Sequence, residues 1–175
     1  AAWVVDQRAG VGLAVDRAIA PGCGGVPVVL LGVELADQYG VALTDVRLPP
    51  HRSELHFYEG RIDEVRAVRV LILGTDSGSG KRTTAWILRN ALIEKGYKAE
   101  MIGTGQTAWM QGARFSICLD SLVNEFGAGE IEHIVRTAWV EVKPDVVIVE
   151  GQGALLQPAY PGGLELVASV KPDVL

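Results

Sequence analysis

The stretch Val68–Thr84, VRVLILGTDSGSGKRTT, decides the fold. Its first part, Val68–Leu73, is continuously apolar and rich in β-branched residues apart from Arg69. That is the pattern of a strand buried in a parallel sheet. Gly74, Gly78 and Gly80 then allow the backbone to turn sharply and expose its N–H groups. A helical pattern starts near Gly80, and the amides of a first helical turn have no partner inside the helix. Those amides, the helix dipole and Lys81 together make a pocket for a phosphate group. The candidate ligand-holding residues are therefore Thr75, Asp76, Ser77, Gly78, Ser79, Gly80, Lys81, Arg82 and Thr83. A glycine-rich turn with no ligand is the plainer alternative, and Lys81 in register argues against it.

The standard phosphate-binding loop reads G-x-x-x-x-G-K-[ST]. This chain departs from it twice. Thr75 stands in the place of the first glycine, with Gly74 one residue earlier, which resembles the loop of dethiobiotin synthetase and its P-loop relatives. Arg82 stands in the place of the hydroxyl residue that binds Mg²⁺, with Thr83 one position late. A guanidinium does not coordinate a cation, but it does supply a second fixed positive charge for a phosphate.

Outward from this loop the chain is regular on the C-terminal side. Ala85, Leu88, Ala91 and Leu92 form one helical face, and Gly96 ends the helix. Lys98–Ile102 reads as a second strand, followed at once by Gly103–Thr107. Ligands sit beyond the carboxyl ends of the strands in an open parallel sheet, so this loop shares the rim with the first. Thr104, Gln106 and Thr107 are candidate substrate residues there, or simply a capping turn. In Ala108–Cys118, Trp109, Met110 and Phe115 read as packing residues. Leu119, Leu122, Val123 and Phe126 form a helical face. Gly127 and Gly129 interrupt it before a second face made by Ile131, Ile134, Val135, Ala138 and Val142. Asp120 and Glu130 lie near the starts of these pieces, as helix caps or as a ligand or base. His133 reads as a solvated side chain. Asp145–Val149 is a third buried strand, ending in Glu150-Gly151-Gln152-Gly153. A strand-end acid beside a P-loop has the place of a Walker B carboxylate, which holds Mg²⁺ directly or through water. Leu155–Gly163 is a loop carrying Tyr160, a further candidate substrate residue. Leu164–Val170 reads as a helix leading into one more strand.

On the N-terminal side the pattern is weaker. Trp3–Asp6 reads as a strand, Gly12–Ala20 as a helix, Pro21–Pro27 as a loop, Val33–Tyr39 as a helix ending at Gly40, and Val41–Val46 as a strand. This alternation points to part of a small Rossmann-like domain over residues 1–50. Residues 51–67 read as a linker, with His51 and His56 on a surface connection rather than at a metal. Residues 68–175 are the P-loop domain. The expected class is α/β, a mostly parallel sheet with flanking helices.

Composition narrows the function. The chain has 175 residues and a formal charge of −5, which disfavours nucleic acid or an anionic membrane as a general partner. Cys23 and Cys118 lack metal or disulfide spacing, so a reducing cytoplasmic setting is the expectation. No apolar run is long enough to suggest a membrane span. The chain begins without Met, and it stops two residues into a strand-like run, so both ends read as cut. The expected partners are a small-molecule substrate and further copies of the chain as a homo-oligomer.

GTDSGSGKRTT over Gly74–Thr84, then Thr104-Gly105-Gln106-Thr107, Glu150-Gly151-Gln152-Gly153 and Pro158-Ala159-Tyr160 form an ordered set. The set resembles one family of P-loop proteins, long classed as of unknown function, that includes bacterial D-glutamate N-acetyltransferase. The resemblance covers about Val41–Leu175, including Asp45-Val46-Arg47. It implies a Rossmann-like domain before the P-loop domain, and acetyl transfer from acetyl-CoA to the amino group of an acidic amino acid. Under it, the loop holds a phosphate of CoA without hydrolysing anything, with Gly151, Gln152 and Gly153 beside it. Glu150 or Asp120 is the base, and Lys81 assists. Oxyanion donors come from the Gly151–Gly153 or Gly103–Thr107 amides. The rival is a Mg²⁺-ATP-dependent ligase or small-molecule kinase, with Thr83 and Glu150 on the metal. A nucleotide-binding module without turnover is the third class.

Overall fold

The structure is a computed structural model and describes residues 2–5, 12–15, 28–44, 46–159 and 162–175. The chain splits into two compact units, Ala1–Leu48 and Pro49–Leu175.

In the first unit, β1 (Ala2–Val5) pairs antiparallel with β2 (Gly12–Val15) and with β3 (Leu43–Thr44), in the order β2-β1-β3. A helix, α1 (Val28–Tyr39), ends at Gly40, whose φ of +63° suits a residue without a Cβ. Two expectations change here. Gly12–Val15 is a strand and not the start of a helix, because Leu13 and Ala14 are opposite Val4 and Trp3 in the β1 ladder. The described pairings are antiparallel, whereas a Rossmann-like piece pairs its strands in parallel. The expected loop at residues 21–27 and the residue Asp45 lie outside the described residues.

The second unit is built on a four-stranded parallel sheet, β4 (Val68–Ile72), β5 (Ala99–Gly103), β6 (Phe115–Ser116) and β7 (Val146–Glu150), in the order β4-β7-β5-β6. Val174 bridges to Val70 on the other side of β4 and accepts a hydrogen bond from Leu71 N at 3.0 Å, in line with the strand expected there. Period-2 alternation decides which face each residue covers. Leu71, Ile102, Val147 and Val149 face one core with α4 (Gly127–Val142) and α5 (Gly162–Val170). Val70, Ala99, Met101 and Ile148 face the other with Ala85 of α2 (Lys81–Glu94) and Ala108 of α3 (Gln106–Met110). Both faces are covered, so the strands read as unbroken apolar runs. Each fully buried Leu or Ile contributes about 1.5–3 kcal/mol.

Residues 51–67 are not a linker. They carry two 3-10 turns, Arg52–Glu54 and Arg61–Glu64, and Ile62, Val65 and Ala67 belong to the core beneath α4. The expected helix at 119–126 is two 3-10 turns, Leu119–Ser121 and Asn124–Phe126. Gly127 and Gly129 do not interrupt a helix; they lie in the first turn of α4.

Candidate functional site

The phosphate-loop reading of Gly74–Thr84 meets its geometric test. Strand β4 leads into the loop, and α2 begins at Lys81 with Gly80 as its N-cap. Gly78 and Gly80 have φ of +70° and +91°, backbone conformations that favour glycine. A Cβ on Gly74 would meet Ser79 Oγ, so the first turn packs closely against the loop. Lys81 folds back over the loop, and its Nζ donates to Asp76 O at 2.9 Å. A cavity of about 310 Å³ opens at this point, lined by residues 77–83 and 150–153. It therefore joins the phosphate loop to the strand-end acid.

Glu150 is 6% exposed and sits at the end of β7, level with Ile72. Its Oε2 accepts from Thr104 N at 3.3 Å, and its Oε1 lies 3.6 Å from Arg82 NH1. Burial pushes its carboxyl above the usual range, and the Thr104 amide, Arg82 and Lys81 pull it back. Gly151 has no room for a side chain: a Cβ would strike Ile72 O. This close approach brings the 150–153 turn against the end of β4.

The expected site residues divide into two groups. Ser77, Gly78, Ser79, Gly80, Lys81, Arg82, Thr83, Glu150, Gly151, Gln152 and Gly153 share the cavity. Thr75 and Asp76 are in the loop behind it, where Asp76 Oδ1 accepts from Ser77 N at 2.7 Å. Thr104, Gln106, Thr107 and Asp120 are outside the lining. Thr104 is only 1% exposed, and its hydroxyl donates to Glu150 O at 3.1 Å. It ties the end of β5 to β7, and its hydroxyl also lies 3.4 Å from Oε1 of the cavity-lining Gln152. Gln106 and Asp120 converge on Cys118, whose Sγ lies 3.4 Å from Gln106 Oε1 and 3.1 Å from Asp120 Oδ1. Tyr160 lies outside the described residues.

The sequence reading missed a second cavity, of about 320 Å³, lined by His56, Phe57, Arg61, Gly129, His133 and Arg136 among others. Glu130 Oε1 accepts from His56 N at 2.6 Å and lies 2.7 Å from His56 Nδ1. Glu132 accepts from Glu59 N at 2.8 Å and Ile62 N at 2.9 Å. His56 stacks on His133 with ring centroids 3.7 Å apart, so His133 is not simply solvated; burial lowers its pKa, and His56 lowers it further. The usable signal was Glu130-x-Glu132 beside a helical glycine. Among the described residues no group of three or more His, Cys, Asp or Glu could hold a metal ion, and no helix is long and apolar enough to cross a membrane.

Residues 56–175 match the family described as "Domain of unknown function (DUF1611_C) P-loop domain". Two curated relatives carry the name D-glutamate N-acetyltransferase. The one from Pseudoalteromonas sp is 30% identical over 144 residues, which is 82% of this chain and 41% of the relative. The one from Tritonibacter scottomollicae is 31% identical over 147 residues, 81% of this chain and 40% of the relative. The chain thus spans about two fifths of the length of these relatives. A crystal structure of a DUF1611 family protein from Anabaena variabilis ATCC 29413 superposes with a TM-score of 0.65 at 32% identity, over 73% of this chain and 36% of that one. With a phosphate loop, a strand-end acid and a parallel sheet all in register with that match, the chain belongs to the DUF1611 family, and residues 56–175 are its P-loop domain.

Proposed function

We propose that this domain binds the phosphate groups of acetyl-CoA and takes part in acetyl transfer to the amino group of an acidic amino acid such as D-glutamate. One observation carries the reading: Arg82, at the sequence position of the metal-binding hydroxyl, lines the loop cavity and faces Glu150 at 3.6 Å. Positive charge thus stands where a Mg²⁺-ATP enzyme places its metal, and it favours a phosphate held directly. The relatives' name gives the reaction class.

The loop amides, Lys81 and Arg82 would hold the pyrophosphate or the 3′-phosphate, with the remainder of the ligand lying outside the 310 Å³ cavity. Acetyl-CoA would supply the activated acetyl thioester. The acceptor amine must lose a proton to attack it, and Glu150, whose burial raises its affinity for a proton, is the favoured base over Asp120. The Gly151–Gly153 amides line the cavity and are the favoured oxyanion donors over Gly103–Thr107.

Thr83 lines the same cavity as Glu150, and this favours a second reading. A Mg²⁺-ATP-dependent ligase or kinase would use that hydroxyl and that carboxylate on the metal. Calorimetric titration of the full-length protein separates the two. Tight acetyl-CoA binding that EDTA leaves unchanged, with acetylated product formed from D-glutamate, is expected. Mg²⁺-dependent ATP binding with no affinity for acetyl-CoA would replace the first reading by the second. Glu150→Gln should lose turnover and keep acetyl-CoA binding; normal turnover would remove Glu150 from the mechanism.

A further inference from the structure

Glu150 holds two kinds of partner. The Thr104 amide is fixed in the backbone at 3.3 Å, whereas Arg82 is a long side chain at 3.6 Å, at ion-pair range and beyond good hydrogen-bond length. Arg82 is also the more accessible of the pair, at 37% against 8% side-chain exposure, and it borders the cavity formed by the loop amides. A phosphate there offers several charged oxygens in the geometry that a guanidinium binds two at a time. Glu150 offers Arg82 a single oxygen at long range.

We propose that capture of a phosphate-bearing ligand by the loop transfers Arg82 from Glu150 to the ligand, and that Glu150, left without this cation, becomes the proton acceptor of the site. The proposal rests on the reading of the loop as a phosphate site, and it adds a sequence of events: anion first, base second. The groups that act on Glu150 are Lys81 and Arg82 from α2 and the Thr104 amide just after β5. Arg82 lies at ion-pair range of Glu150 and acts on it more strongly than Lys81 does, so its departure is the one that frees the carboxyl. Removing Arg82 strips away one of the influences that hold the carboxyl down, and the incoming negative charge pushes in the same direction. With no amine bound, the proton comes from solvent or buffer; with the acceptor bound, it comes from the acceptor's ammonium group. The phosphate's own ionisation contributes equally in wild type and Glu150→Gln, so the uptake assigned to Glu150 is the difference between the two. An amino-acid acceptor thus meets an activated base only after the phosphate-bearing partner is seated.

The test is proton-linked calorimetry on the full-length protein with EDTA present. The probes are inorganic pyrophosphate and CoA, neither of which can react. Each is titrated in two buffers of different ionisation enthalpy, at several pH values from about 6 to 8. The expected result is a buffer-dependent heat that reports more proton uptake in wild type than in Glu150→Gln. Glu150→Gln should bind both probes with that excess lost. Arg82→Gln should bind more weakly with the excess reduced, because the guanidinium has already gone. Thermal unfolding of both variants checks that they fold, and either one alone decides the matter. Binding with the same proton exchange in wild type and Glu150→Gln would overturn the proposal, as would a difference from Glu150→Gln that is undiminished in Arg82→Gln. Failure of both probes to bind would overturn the proposal and the phosphate site with it. Uptake as expected, with no acetylated product from any amino acid, would leave this proposal standing and sink the acetyl-transfer reading.

Discussion

Two cavities of nearly equal size, about 310 and 320 Å³, each border buried carboxylates, and they use them in opposite ways. On α4, Glu130 and Glu132 hold main-chain donors, the amides of His56, Glu59 and Ile62, and Glu130 also meets the His56 imidazole. At the phosphate loop, Glu150 has one fixed amide, and its other partner is a movable guanidinium. A carboxylate that holds main-chain N–H groups acts as a fastener. One whose partner can move keeps chemistry in reserve. Degree of burial does not separate the two cases, since all three acids are 4–6% exposed; the kind of donor does.

The largest effect should come from breaking the fastener. Glu132→Ala leaves the Glu59 and Ile62 amides without their acceptor and should cost roughly 3 kcal/mol, read from the denaturant midpoint of unfolding. A change of only a few tenths would mean that Glu132 does not hold the segment. Next is Gly129→Ala. The added methyl would run into the His56 and Phe57 backbone, and a loss of about 2 kcal/mol is expected, with phosphate-ligand affinity unchanged. A loss of ligand affinity in a folded variant would couple the two cavities and blur the contrast.

At the loop the order reverses, with function suffering and stability barely touched. Lys81→Ala should weaken the phosphate ligand at least tenfold, about 1.4 kcal/mol, while unfolding stays near wild type; unchanged affinity would refute the site. The smallest effect concerns Glu150 and pH. Its pKa is raised in the fold, so the folded chain holds the proton more tightly than the unfolded chain. The associated stability is present at low pH and fades as pH rises through the folded-state value. Glu150→Gln should therefore match wild type in acid and gain stability relative to it at higher pH. A stability loss that grows with pH would place Glu150 among the fasteners.

Much of this site was legible in the sequence because its signals are local. The apolar run before Gly74, Lys81 in register and an acid closing the next apolar strand each lie within a few residues of what they predict. The rest depends on contacts across the chain. Gly129 reads as a helix breaker until the backbone of 56–57 is seen to press against it. The hydroxyl of Thr104 meets the Glu150 carbonyl, 46 residues away, a contact that no local pattern announces. Residues 51–67 look like a connection because their charges are plentiful, yet Ile62 is fully buried. Leu119, Leu122 and Phe126 have helical spacing, but the Leu119 amide bonds to Thr104 O at 3.2 Å, and the chain there follows β5 in two short turns.

The contact between Lys81 Nζ and Asp76 O bears on how the loop trades one guest for another. The ammonium already has an acceptor, a neutral one belonging to its own loop. An anion reaching the ammonium would displace that carbonyl and would not rescue an idle charge, so Lys81 would contribute only the difference between two partners. Departure would be eased for the same reason, since the lysine has an acceptor in its own loop to return to.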